Sequence, residues 1–209
     1  MSRQAEPVIF VIDDDEAVRD ALSMMLRSAG RNVETFASAK EFIERRGDAR
    51  HGCIVLDVRM PGMSGLELQE WLAQHNASLP IVFLTGHGDV PTSVQAMKRG
   101  AADFLTKPAD EKDLLAAIRN AFEKGRALRM AQAENAEIGR RLATLTPRER
   151  EVLEHIVAGK RNKQVAGELG TVEKTVKVHR ARVMEKMQAR SLAELVRLAE
   201  RAGIRGTLD

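Results

Sequence analysis

The sequence predicts an α/β doubly wound domain of five parallel strands, followed by an all-α domain of four short helices. Three observations carry that reading. Through residue 122, short apolar runs alternate with amphipathic segments, the pattern of buried parallel strands joined by crossover helices. Beyond residue 145 no strand-like run remains, and helical segments fill the chain. The charge also changes sign: residues 1–124 carry 15 Lys and Arg against 19 Asp and Glu, and residues 125–209 carry 18 against 11. That asymmetry fits two domains with different partners, the second partner a polyanion.

Val8, Ile9, Phe10, Val11 and Ile12 form the first strand, which stops at Asp13, Asp14 and Asp15. Residues 15–30 then carry Val18, Leu22, Met25 and Leu26 on one helical stripe, closed by Gly30. A short strand covers residues 33–36, and Ser38 with Glu41 has the capping-box spacing that opens a helix. Cys53, Ile54, Val55 and Leu56 run into Asp57; a loop with Met60, Pro61 and Gly62 leads to a helix over residues 64–75 with Leu66, Leu68 and Leu72 apolar. Ile81, Val82, Phe83 and Leu84 end in Thr85, after which Asp89 caps a helix running to Arg99 and ended by Gly100. Phe104, Leu105 and Thr106 end in Lys107 and Pro108. Asp110 caps the next helix, with Leu114, Leu115 and Ile118 facing inward. Five such units predict the flavodoxin-like strand order 2-1-3-4-5.

Residues 125–145 read as a helical linker between a first domain of residues 1–124 and a second of residues 146–209. Leu128, Ala131, Asn135, Ile138, Leu142 and Leu145 recur at spacings of three and four. That register suits a two-stranded coiled coil with Asn135 at a central position, and equally a linker helix laying an apolar stripe on its own domain. Thr146, Pro147 and Glu149 then open a helix as N-cap, N1 and N3, ending near Gly159. Helices over residues 162–169, 173–187 and 191–202 follow, with Gly170 forming a tight turn between the first two of these. This is a helix-turn-helix arrangement.

No apolar run reaches the roughly 18 residues that span a membrane, and the first residues lack a signal-peptide core. The single Cys53 lies in an apparent core strand, so no intrachain disulfide forms and the thiol reads as a small buried hydrophobe. A cytoplasmic protein with no membrane partner is the expectation.

Ligands of such sheets bind outside the carboxyl ends of the strands, where Asp13, Asp14, Asp57, Thr85 and Lys107 gather. Grouped carboxylates raise one another's pKa unless a cation neutralises them, and hard oxygen ligands suit Mg²⁺. Lys107 and Thr85 supply donors suited to a transferred phosphoryl group. With Val11 and Ile12 before the Asp triplet, the stretch from Leu56 to Gly65, the Thr85, Gly86 and His87 run, and the Lys107 and Pro108 pair, residues 6–122 resemble the receiver domain of two-component response regulators. The resemblance implies that Asp57 accepts phosphate from a sensor histidine kinase. It implies an Mg²⁺ site made of Asp13, Asp14, Asp57 and the carbonyl of Arg59, and a cis Lys107–Pro108 bond that aims the lysine. It makes Thr85 and Phe104 a switch pair, although Phe104 reads as simple core on the residues alone.

Residues 144–201 resemble the LuxR-type helix-turn-helix of the FixJ/NarL group. The match runs through Leu145 to Leu153, Asn162 to Ala166 and Thr175 to Arg180. The third helix of this region carries Lys174, Lys177, Arg180, Arg182 and Lys186, a basic face after a glycine turn such as a major-groove reader needs. By resemblance Lys177, Val178 and Ala181 enter the groove, and Lys174, Thr175, Arg180, Asn162 and Lys163 hold phosphates. Where the family has Ile-Ser before this helix, the chain has Thr171 and Val172, which leaves the start of the helix open. Taken together, the resemblances imply a DNA-binding transcriptional activator, not an enzyme. It would dimerise on phosphorylation through the helix over residues 90–99 and the strand around Phe104, bind double-stranded promoter DNA and meet RNA polymerase. The last helix, with Leu192, Leu195, Val196 and Leu198, is either a second dimer contact or an internal brace.

Two other classes fit less well. An aspartyl phosphohydrolase of the haloacid-dehalogenase type needs an acid two residues after the nucleophile, where this chain has Arg59, and residues 125–209 supply no substrate pocket. A protein-binding adaptor is disfavoured by the basic second half and by Lys177, Val178, His179 and Arg180.

Overall fold

The structure is a computed structural model that describes residues 6–45, 51–75, 79–86 and 90–204. By contact density the chain divides into two compact units, Met1–Arg129 and Met130–Asp209.

The first unit is built on five parallel strands, β1 (Val8–Ile12), β2 (Asn32–Phe36), β3 (Gly52–Asp57), β4 (Ile81–Thr85) and β5 (Asp103–Thr106). They lie in the order β2-β1-β3-β4-β5, as the sequence predicts. Successive side chains on a strand point to opposite faces, so β1 sends Phe10 and Ile12 to one core and Ile9 and Val11 to another. Helices α2 (Ala39–Arg45), α3 (Gly65–Gln74) and α4 (Val90–Lys98) cover the first face through Phe42, Leu68, Leu72 and Ala96. There Phe10, Phe36 and Phe42 pack edge-on and tilted, with centroids 5.2–6.3 Å apart. Helices α1 (Glu16–Ser28) and α5 (Glu111–Ala143) cover the second face through Leu22, Leu26, Leu114 and Ile118.

Local chemistry sets the helix ends. Asp15 caps α1 by accepting from the N–H groups of Ala17 and Val18. Ser64 and Glu67 form a reciprocal capping box at α3. Ser38 accepts from the N–H of Glu41, while the Glu41 carboxylate reaches back to Ala37 rather than to Ser38. The α4 cap assigned to Asp89 and the motif residue His87 lie outside the described residues.

The second unit holds α6 (Pro147–Val157), α7 (Asn162–Glu168), α8 (Glu173–Lys186) and α9 (Leu192–Arg201), preceded by the last turns of α5. Its core gathers Val152, Leu153, Ile156, Val165, Val176, Val183, Met187, Leu195 and Ala199. Ile138, Leu142 and Leu145 belong to that same core. Of the two readings of the linker register, its C-terminal half therefore follows the second: the stripe packs on its own unit. Leu128 is 51% exposed, and Asn135 is exposed as well. Leu195 is fully buried, so α9 braces the core at that position, while Leu192 stays exposed and Val196 and Leu198 are half-buried.

Two helix starts contrast. Thr146 caps α6 with a full capping box, and the Glu149 side chain accepts from the N–H of Thr146 at 2.9 Å. At α8 the cap position is Val172, which has no side chain able to accept, and Thr171 does not cap one residue early. That settles the helix start the sequence left open.

Candidate functional site

Strand register carries the candidate residues to one edge of the sheet. Ile12 pairs with Leu56, Asp57 with Leu84, and Thr85 with Thr106, so Asp13, Asp57, Thr85 and Lys107 all stand at the carboxyl ends of adjacent strands. The Lys107 N–H donates to the Thr85 carbonyl at 2.7 Å, and the Lys107–Pro108 bond is cis.

At the centre sits an ammonium. Lys107 Nζ lies 2.6 Å from Asp13 Oδ2 and 2.7 Å from Asp57 Oδ1. The remaining oxygens are also held: Asp57 Oδ2 accepts from the Arg59 N–H at 2.6 Å, and Asp13 Oδ1 from the Asp15 N–H at 3.1 Å. Both carboxylates are buried. Burial raises the pKa of Asp13, with the hydrogen bond from Lys107 only partly opposing it. Burial pulls the Lys107 pKa down, but the hydrogen bonds to Asp13 and Asp57 outweigh it and leave the pKa raised. Lys107 is therefore charged at neutral pH and balances two carboxylates that would otherwise repel.

Glycine makes this packing possible. A Cβ on Gly65, at the start of α3, would overlap the carbonyl oxygen of Asp57 and crowd the Phe83 ring. Thr85 is 1% exposed, and Phe104 is half-buried with its ring centroid 6.0 Å from that of Phe83.

Asp14 and Arg59 are exposed beside this pocket. Among the described residues no three acidic, His or Cys side chains converge as a ready metal cluster. Two of these carboxylates, those of Asp13 and Asp57, meet at the Lys107 ammonium. The donor set still fits Mg²⁺, which uses one or two carboxylates and keeps several waters.

The sequence reading overlooked Arg19. From the first turn of α1 it donates Nη1 to the Asp13 carbonyl at 2.8 Å. Its sequence signal is only its place one turn after the Asp15 cap.

In the second unit, Val176, Val183 and Met187 turn α8 inward, so Lys174, Lys177, Val178, Ala181 and Arg182 are exposed, and Thr175 and Arg180 half-exposed. Asn162 and Lys163 begin α7, half-buried and exposed respectively. Lys177 is paired at 3.9 Å with Glu173, an exposed and therefore weak contact. Lys186 does not belong with this basic face. Its ammonium contacts the buried Glu149 at 2.6 Å and the Thr144 carbonyl at 3.0 Å, tying α8 to the start of α6.

A doubly wound domain with an acidic, lysine-bridged pocket, joined to a basic helix-turn-helix unit, defines a signal-dependent DNA-binding regulator. Residues 9–119 match the family described as response regulator receiver domain, and residues 143–199 match bacterial regulatory proteins of the luxR family. The chain is 49% identical to the transcriptional regulatory protein FixJ of Azorhizobium caulinodans, over 94% of this chain and 93% of that one. It is 47% identical to nodulation protein W of Bradyrhizobium diazoefficiens, over 94% and 87%. Among solved structures it resembles the response regulator StyR, with a TM-score of 0.78, 50% identity, and coverage of 94% of this chain and 100% of that one. The chain belongs to the response regulator family, in its FixJ/NarL group with a LuxR-type helix-turn-helix. It is a phosphorylation-dependent transcriptional regulator. No helix among the described residues is long and apolar enough to cross a membrane.

Proposed function

We propose that Asp57 is the phosphoacceptor of this regulator, that a sensor histidine kinase is its donor, and that phosphorylation pairs two chains on promoter DNA to activate transcription. The observation that carries this is the Lys107 ammonium held within 2.7 Å of both Asp13 and Asp57. A carboxylate oxygen of Asp57 attacks the phosphorus of the phosphodonor, and the donor's nitrogen or oxygen leaves with the electron pair. Lys107 then neutralises charge on the transferred group. Asp13, Asp14, Asp57 and the Arg59 carbonyl are the oxygens that hold Mg²⁺, whose bound form supplies further charge neutralisation. Thr85 and Phe104 are the switch pair beside this site.

The exposed Val90, Val94 and Met97 recur on one side of α4, an apolar stripe suited to a second copy. Pairing there, with β5, gives two linked DNA-binding units a large effective-concentration gain on two half-sites. Lys177, Val178 and Ala181 read base edges, with Arg182 beside them on the basic face; Asn162, Lys163, Lys174, Thr175 and Arg180 hold phosphates. Functionally, residues 1–124 receive the signal and residues 146–209 bind DNA, while the last turns of the segment 125–145 complete the second core. The protein works as a cytoplasmic binding switch that recruits RNA polymerase, not as a turnover enzyme.

Acetyl phosphate with Mg²⁺ tests the acceptor: wild-type protein should gain one phosphoryl group and Asp57→Asn none. Undiminished labelling of that variant refutes the assignment. Sedimentation with beryllofluoride, a phosphoryl mimic, should convert monomer to dimer. A protein fully dimeric beforehand at micromolar concentration refutes pairing as the switch.

A further inference from the structure

We infer that Arg19 is a positioning residue of the phosphoacceptor site, locking the strand end that carries Asp13 and Asp14 and thereby setting its affinity for a divalent cation. The inference rests on the site reading given above. β1 pairs with β3 only as far as Ile12 and Leu56, so the Asp13 backbone leaves the sheet on that side. On the other side the Asp13 N–H still donates to the Phe36 carbonyl at 3.2 Å. Its own carbonyl has passed beyond the strands, yet Asp13 is 2% exposed. A carbonyl of so buried a residue, beyond the reach of the sheet, gains from a protein donor.

Arg19 supplies it, at 2.8 Å, from the first turn of α1. With that bond made, Asp13 is fixed at four points: N–H to Phe36, carbonyl to Arg19, and its two carboxylate oxygens to the Asp15 N–H and Lys107. One guanidinium thus ties α1 back to the turn that follows β1. It touches neither carboxylate oxygen of Asp13, so it acts through backbone placement. Outer groups that orient metal ligands commonly change affinity 10–100-fold when removed.

The test uses the full-length protein. Arg19→Met keeps the aliphatic stem and deletes the donor, whereas Arg19→Lys keeps one donor at shorter reach. Calorimetric Mg²⁺ titration without any phosphodonor should give about tenfold weaker binding for R19M and an intermediate value for R19K. With acetyl phosphate, the Mg²⁺ concentration for half-maximal labelling should rise by the same factor, with the maximal rate retained at saturating Mg²⁺. A merely structural arginine would lower the melting temperature and leave Mg²⁺ affinity untouched. That result overturns the inference, and if R19M does not fold, wild-type affinity in R19K overturns it equally. Wild-type protein that binds no Mg²⁺ and accepts no phosphoryl group would instead remove the underlying site reading.

Discussion

Replacing Val172 with threonine should stabilise the DNA-binding unit, because α8 begins without a side-chain cap. The backbone at Val172 already has the extended geometry of a cap residue, φ −98° and ψ 150°, close to that of Thr146 at φ −66° and ψ 160°. What is missing is a side-chain oxygen: the Thr175 N–H turns to the Val172 carbonyl at 2.9 Å, and no side chain at the cap accepts from the first turn. Threonine is nearly the same shape as valine, so the apolar contact of a side chain that is 64% exposed is largely kept. Exposure also means that the new hydroxyl is not buried, the usual objection to this exchange. A restored cap contributes about 1 kcal/mol, within a range of about 0.5–2. For a unit of this size, about 1 kcal/mol corresponds to a rise in melting temperature of roughly 4–8 °C. Differential scanning calorimetry of the full-length protein measures the shift, and hydrogen exchange at the Lys174 and Thr175 amides locates it. Val172→Ala, which adds no acceptor, is the control. If V172T melts no higher than V172A and its first-turn amides exchange no more slowly, the missing cap is not what limits α8.

Three further outcomes are expected. Lys107→Met removes the ammonium between Asp13 and Asp57 and should destabilise the first unit by about 2 kcal/mol in EDTA; that is less than for a fully buried pair because Lys107 is partly exposed. Urea unfolding measures the loss. Since the Asp13 pKa is already raised by burial, the loss should shrink as pH falls into the carboxylate range. Gly65→Ala should cost about 1–3 kcal/mol by overpacking against the Asp57 carbonyl, and should slow labelling by acetyl phosphate; a neutral effect on both would mean that α3 moves away freely. The hydrogen bond from Lys186, then that from the Thr146 N–H, holds Glu149 below the ordinary carboxylate range. Its stabilisation is therefore fully present above the unfolded-state pKa and lost as pH falls through the lowered folded value. Thermal melts across that window should fall more steeply for wild type than for Glu149→Gln.

Much of this was legible in the sequence because strand ends are marked by what stops them. Asp13, Asp57, Thr85 and Lys107 each follow an apolar run, so a parallel sheet brings them together whatever the details of the helices. Sequence spacing does not specify where a long side chain points. Lys107 reads as a donor for an incoming group, and only the folded register places its ammonium between two carboxylates, replacing repulsion with balance. Arg19 escaped for a similar reason: its partner is a backbone carbonyl, which has no sequence signature. Lys186 looked like part of a basic face until Glu149, a residue of the capping box, turned out to be its partner across the core. The linker register was ambiguous because the same three-and-four spacing serves a partner helix or a helix's own domain, and burial of Ile138, Leu142 and Leu145 decides it.

Helix α5 serves two masters, since Leu114, Ile118 and Ala121 complete one core and Ile138 and Leu142 another, along a single run of backbone hydrogen bonds. A fragment cut at the apparent start of the DNA-binding region, before Thr146, would lose three apolar residues from its own interior and expose the surface they cover. In evolutionary terms, the two functions are not exchangeable cassettes at that point. A recombination that joins a new receiver to this DNA-binding unit has to bring the last turns of α5 along with the unit they help to fold.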